Sequence, residues 1–285
     1  MTARTRPDSR TRGAAGRRAS GGRPGVVGVL GGMGPLATAD FYTKLVRLTP
    51  AACDQDHLHV IIDSNPQIPD RTTAVLSGGP DPTPALVAAA RRLERAGATL
   101  IVIPCNSAHA FLRVIRRAVG VPVLDIMDEV AAAAAGLTPA PRAAGLLATT
   151  ATLRMRLYHA AFGARGIAIL EPGPDEQLGV MTAIHAVKAG DLGATGGARL
   201  RDVAEALVRR GAQALVLGCT ELPLIVDPAS VSVPVLDGSD LLARAVLRET
   251  LGGAAPGGEF PPPSRRSDRS HHDHHARSAA PVRRT

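Results

Sequence analysis

The sequence predicts an α/β fold: two similar parallel-sheet α/β domains related by a pseudo-twofold axis, with a site in the cleft between them. Three observations lead there. Short apolar runs (GVVGVL, HVIIDS, LIVIP, GLLAT, ALVLG) alternate with longer amphipathic stretches, the pattern of buried parallel strands covered by helices. That pattern occurs twice. LVAAARRLERAGATLIVIPC is answered by LRDVAEALVRRGAQALVLGC, and VPVLD at Val121 by VPVLD at Val233. VGVLGGMGPLATADFY at Val27 is answered by AGLLATTATLRMRLYH at Ala144, so the copies lie 112 to 117 residues apart. Finally, Cys105 and Cys219 occupy equivalent points, each just past an apolar strand. Two copies that face each other bring both cysteines to one cleft.

Composition narrows the classes. With 45% hydrophobic residues but only 2% aromatics, the core must be aliphatic, which suits this architecture. No apolar run reaches the length of a membrane span. The net charge of +8 suggests nucleic acid until it is located. Residues 1–24 hold seven Arg against Asp8, and residues 253–285 hold six Arg against Glu259, Asp268 and Asp273. The middle is therefore close to neutral, so no nucleic-acid partner is expected, and the two tails read as disordered basic segments. Three cysteines in no zinc or disulfide spacing point to a reducing cytoplasm.

The expected domains are 25–121 plus 232–252 and 122–231. Order begins at Gly25 with a strand, followed by the turn GGMGP and a helix with Pro35 in its first turn. Gly31, Gly32 and Gly34 let backbone N–H groups approach an anion there, although the spacing is neither a dinucleotide fingerprint nor a P-loop. A plain tight turn explains the glycines equally well. Cys53 has no counterpart in the repeat and reads as incidental; His57 and His59 read as a strand edge, so no metal is expected. NPQIPDRT, residues 65–72, is a loop at a strand end. Arg71 there has two readings, a carboxylate fork or a surface Arg beside Asp70, and the residues alone favour the second.

After the Cys105 strand, Asn106 and Ser107 read as helix caps, which places the thiol at a helix N-terminus, where a thiolate is favoured. His109, four residues on, either tunes the thiol or packs. In the second half, Thr149, Thr150 and Thr152 stand where the first half has its glycines. Lys188 near a helix end reads as a solvated residue. Thr220 and Glu221 read as another helix start. HHDHH at 271–275 lies in the basic tail and carries little weight.

Paired thiols suit racemisation. One removes a proton from one face of a carbon and the other returns one to the opposite face. No feature calls for a pyridoxal cofactor. A redox cysteine pair is the rival.

Read together, GVLGGMGPLAT, NPQIPDRT, PCNSAH, LLATT, VKAG and GCTEL, in order across residues 25–250, resemble the aspartate racemase branch of the cofactor-independent aspartate/glutamate racemases. The resemblance implies two α/β domains with the site between them, a homodimer, no cofactor and an acidic amino acid as the small-molecule substrate. It implies Cys105 and Cys219 as the acid/base thiols, reverses the reading of Arg71 and Lys188 to carboxylate binding, and gives Asn106, Ser107 and Thr220 to the substrate's polar groups. Ser107 stands where this branch often has Thr, which keeps the hydroxyl. The expected activity is interconversion of L- and D-aspartate, with glutamate as second substrate. A hydantoin racemase, a maleate isomerase-like enzyme and a non-catalytic dicarboxylate binder are the alternatives.

Overall fold

The computed structural model describes residues 25–252, so the expectations for both tails, including HHDHH, lie outside the described residues. In the first half, β1 (Val27–Gly31) is central, and helix α1 (Pro35–Leu48) leaves it through the glycine turn. Strand β2 (Val60–Ser64), helices α2 (Arg71–Ser77) and α3 (Thr83–Arg95), and strand β3 (Leu100–Val102) follow. The sheet order is β2-β1-β3, all parallel, and Val123 extends it by a single bridge to Ile101. Helix α4 (Leu112–Ala118) packs on α3, and helix α5 (Ile126–Ala135) follows the Val123 bridge.

The second half repeats the arrangement with β4 (Ala143–Ala148), α6 (Thr150–Arg154), α7 (Leu157–Gly163), β5 (Ala168–Leu170), α8 (Pro174–Lys188), α9 (Ala194–Arg209), β6 (Ala214–Gly218), β7 (Val235–Asp237) and α10 (Gly238–Thr250). Its order, β5-β4-β6-β7, matches the first sheet strand for strand when the Val123 bridge is counted. The twofold repetition expected from the sequence is therefore a repetition of topology.

One boundary differs. Residues 232–252 were expected in the first domain, but β7 hydrogen-bonds to β6, with Leu215 opposite Val235 and Val216 opposite Leu236. Each VPVL copy completes the sheet of its own half. The helices after the two VPVL copies cross over: α10 packs against α1 of the first half, α5 packs against α7 and β7 of the second as expected from the 122–231 bounds, and the two helices pack against each other.

Alternation along the strands places two apolar faces per sheet. Val27, Val29 and Val102 share one cluster with Leu146, Val216 and Leu236 of the other sheet, filled in by Phe41, Val130, Tyr158 and Val246 from helices between them. The opposite faces, Leu30, Ile101 and Ile103 in one half and Leu147, Leu215 and Leu217 in the other, meet their own outer helices. Burial on both faces explains why the strands read as unbroken apolar runs. Lys44 of α1 reaches Asp237 of β7 at 2.7 Å and also pairs with Asp40, fastening the halves on this side. Burial opposes the Lys44 charge, but the two carboxylates outweigh it and raise its pKa.

Candidate active site

Cys105 lies three residues past β3 and Cys219 directly after β6. Both carry free thiols, both are buried, and both line one small chamber with Asn106, Ser107, Thr149 and Thr220. Its free volume is about 10 Å³, room for about one water. A larger cavity of about 490 Å³ adjoins it, lined by the glycine turn, Ile68, Arg71 and the end of α8. Met33, Asp70, Lys188 and Glu221 line both spaces and so form the partition between them.

The chain after each cysteine departs from the expected helix starts. A 3-10 turn, Ser107–Phe111, follows Cys105, and another, Leu222–Leu224, follows Cys219. Neither Asn106 nor Glu221 caps with its side chain. The reason is local. His109 Nδ1 sits 2.9 Å from the Cys105 carbonyl oxygen, while its Nε2 accepts the Ile126 N–H at 3.2 Å. The second bond fixes Nε2 as the acceptor, so Nδ1 carries the proton and donates it. Burial holds the His109 pKa down, in keeping with a neutral ring. His109 thus locks the backbone under Cys105 instead of reaching its thiol.

Asn106 turns away from a capping role because Tyr158 claims it. The Tyr158 hydroxyl donates to Asn106 Oδ1 at 2.6 Å. The Asn106 Nδ2 group is left buried and without a partner among the described residues, and the residue lines the chamber. An amide held by its oxygen presents its N–H₂ as the available donor. Ser107 Oγ is 3.6 Å from Cys105 Sγ. Thr220 Oγ1 donates to the Pro104 carbonyl across the two halves at 3.1 Å, so its proton is committed within the protein and its oxygen remains an acceptor.

Arg71 is not a surface residue; only 5% of it is exposed. Its Nη1 donates to the carbonyls of Ile68 and Pro69, and its Nη2 to that of Met33. Asp70 serves α2 instead, accepting the Thr73 N–H at 2.7 Å. The guanidinium is therefore pre-oriented by three carbonyls beside the larger cavity. Its Nε is unpartnered among the described residues. Lys188, the last residue of α8, reaches inward: its Nζ is 3.7 Å from Glu221 Oε1. Burial disfavours its charge, but Glu221 and both cysteines prevail and raise its pKa.

Glu221 is the residue that sequence reasoning missed. Only 2% exposed, it accepts the Cys219 S–H on Oε2 at 2.9 Å and the Gly34 N–H on Oε1 at 3.0 Å. The anion anticipated at the glycine turn is thus the protein's own carboxylate. Burial pushes the Cys219 thiol well above its usual range, Glu221 adds to this, and Lys188 opposes. The repeat held the clue: Glu221 occupies the position equivalent to Ser107, two residues past the cysteine. A Cβ at Gly34 would sit 2.9 Å from Glu221 Oε1, so a side chain there displaces the carboxylate.

Cys53 is exposed, outside the site, and makes a contact to Asp56. Among the described residues, no group of three or more His, Cys, Asp or Glu side chains is placed to hold a metal, and no helix is long and apolar enough to cross a membrane.

Known proteins share this fold. The aspartate racemase of Picrophilus torridus superposes with a TM-score of 0.72 at 30% identity, over 79% of this chain and 94% of that one. An aspartate racemase homologue from Pyrococcus horikoshii gives 0.63 at 27% identity, over 79% of this chain and 98% of that one. The broad-specificity amino-acid racemase RacX of Bacillus subtilis is 27% identical over 235 residues, 79% of this chain and 98% of its own length. The family model for Asp/Glu/hydantoin racemases matches residues 30–246. The chain belongs to the Asp/Glu/hydantoin racemase family.

Proposed function

We propose that this protein is an amino-acid racemase that interconverts L- and D-aspartate, with glutamate as second substrate, by two-thiol proton transfer without pyridoxal. The observation that carries this reading is that Cys105 and Cys219, from equivalent points of the two halves, line one chamber beside a cavity bearing Arg71 and Lys188. One sulfur, as thiolate, takes the α-proton; the other, as thiol, returns a proton to the opposite face. Arg71 and Lys188 take the substrate carboxylates. The unpartnered Asn106 Nδ2 supplies a donor near the developing negative charge, where a fixed dipole is worth most. The chamber is too small for an amino acid, so the partition formed by Met33, Asp70, Lys188 and Glu221 shifts when substrate enters. This reading places the enzyme in the cytoplasm as a homodimer, two points that fractionation and light scattering test.

Cys105→Ser and Cys219→Ser are each expected to abolish racemisation, since one face loses its acid or base. Each variant keeps α-proton exchange with one enantiomer, opposite in the two cases. Full racemisation by either variant rules out the two-thiol mechanism.

A further inference from the structure

The two thiols are equivalent in the repeat but unequal in their neighbours. Cys105 has a hydroxyl beside it, Ser107 Oγ at 3.6 Å, whereas Cys219 has the Glu221 carboxylate at 2.9 Å. A carboxylate can accept a proton and give it back; a serine hydroxyl is a far weaker acid and base. Glu221 also lines both the thiol chamber and the larger cavity, while Cys219 lines the chamber alone. With about 10 Å³ of free volume, the chamber has room for about one water and none for a chain of waters, whereas Glu221 touches both Cys219 and the outer cavity.

Building on the two-thiol reading, we propose that Glu221 is the proton carrier of Cys219, keeping that thiol protonated at rest and passing its proton to and from the outer cavity. In one direction, the Cys105 thiolate takes the α-proton, breaking C–H and forming S–H. Cys219 gives its proton to the opposite face, forming the new C–H and leaving a thiolate. The site then resets. Glu221, protonated from water in the outer cavity, transfers that proton to the Cys219 thiolate, and the Cys105 thiol releases its proton to water. One proton enters and one leaves; the reverse direction runs the same steps backwards. The groups facing Glu221 fit this role. Lys188 from α8 and the Gly34 N–H at the start of α1 hold the carboxylate between transfers. Asp70 and Arg71, at the start of α2, line the outer cavity with it, and Cys105 shares the chamber. Burial and the Glu221 charge both favour the protonated form of Cys219.

The test combines kinetics with thiolate absorbance. In a Cys53→Ser, Cys105→Ser background, ultraviolet titration reports Cys219 alone. Glu221→Gln is expected to move its midpoint down by about one pH unit or more, because the repelling charge is gone. With both catalytic cysteines present, Glu221→Gln is expected to lower kcat about a hundredfold in both directions with little change in KM, and in Glu221→Ala, which vacates the carboxylate's space, added formate restores part of the loss. Glu221→Asp, which keeps a carboxylate, retains a midpoint near that of the unaltered residue and guards against a folding artefact. A racemase whose Cys219 midpoint stays put in Glu221→Gln, or whose rate lost in Glu221→Ala formate does not restore, overturns the carrier role alone. An unaltered protein that exchanges no α-proton overturns the parent reading, and the carrier role with it, wherever the midpoint lies.

Discussion

Replacing Tyr158 by Phe isolates one hydrogen bond in the site. The ring is fully buried and packs edge-on against Phe162, with centroids 5.8 Å apart, so Phe fills the same space. What is lost is the hydroxyl that donates to Asn106 Oδ1 at 2.6 Å. The Asn106 carbonyl is then buried without a donor, beside an N–H₂ group that already lacks an acceptor. Leaving a buried polar group unmade costs about 1–3 kcal/mol. For a folded part of this size, about 2–4 °C per kcal/mol, the melting temperature falls by roughly 2–12 °C. The amide also loses what orients it, and a loss of about 1.4 kcal/mol in transition-state binding lowers kcat/KM about tenfold. Differential scanning calorimetry and aspartate turnover, measured on the same preparation, read both. A Tyr158→Phe protein with unchanged melting temperature and unchanged turnover refutes the claim that this bond holds Asn106 in place.

Other predictions concern the rest of the site. Arg71→Lys keeps the charge but gives up the planar fork that satisfies the carbonyls of Met33, Ile68 and Pro69, so KM for aspartate rises about tenfold or more, read by initial rates. His109, held neutral by burial, has a folded-state pKa below its unfolded value of about 6.5. The unfolded chain then binds a proton that the folded chain does not. Its contribution is present above that pH and is lost as pH falls below it, so urea midpoints decline from pH 7.5 to pH 5.5, both pH values approximate. His159 acts in the same sense, and His109→Asn removes only the share of the slope due to His109.

The strands, their repetition and the two cysteines were legible because apolar runs and a repeat period are properties of the chain itself. The placement of β7 was also encoded, since the second VPVL repeats the segment at Val121 that extends the first sheet. The site beyond the cysteines depends on contacts between distant segments. Asn106 looks like a helix cap until Tyr158, far along the chain, takes its oxygen. Arg71 looks exposed until three carbonyls enclose it, one of them from Met33. Glu221 reads as a helix start because its partners, Gly34 and Lys188, come from other elements. Burial decided each of these, and burial is set by packing that a single sequence does not display.

The most direct test of the account is L-aspartate in heavy water with the purified protein and no added cofactor, followed by chiral chromatography and proton NMR. The account predicts D-aspartate carrying deuterium at Cα, formed at a rate that falls away in both cysteine variants. D-aspartate that retains the original proton would contradict exchange through the two thiols, and the absence of any D-isomer or exchange with either aspartate or glutamate would contradict the racemase assignment for acidic amino acids.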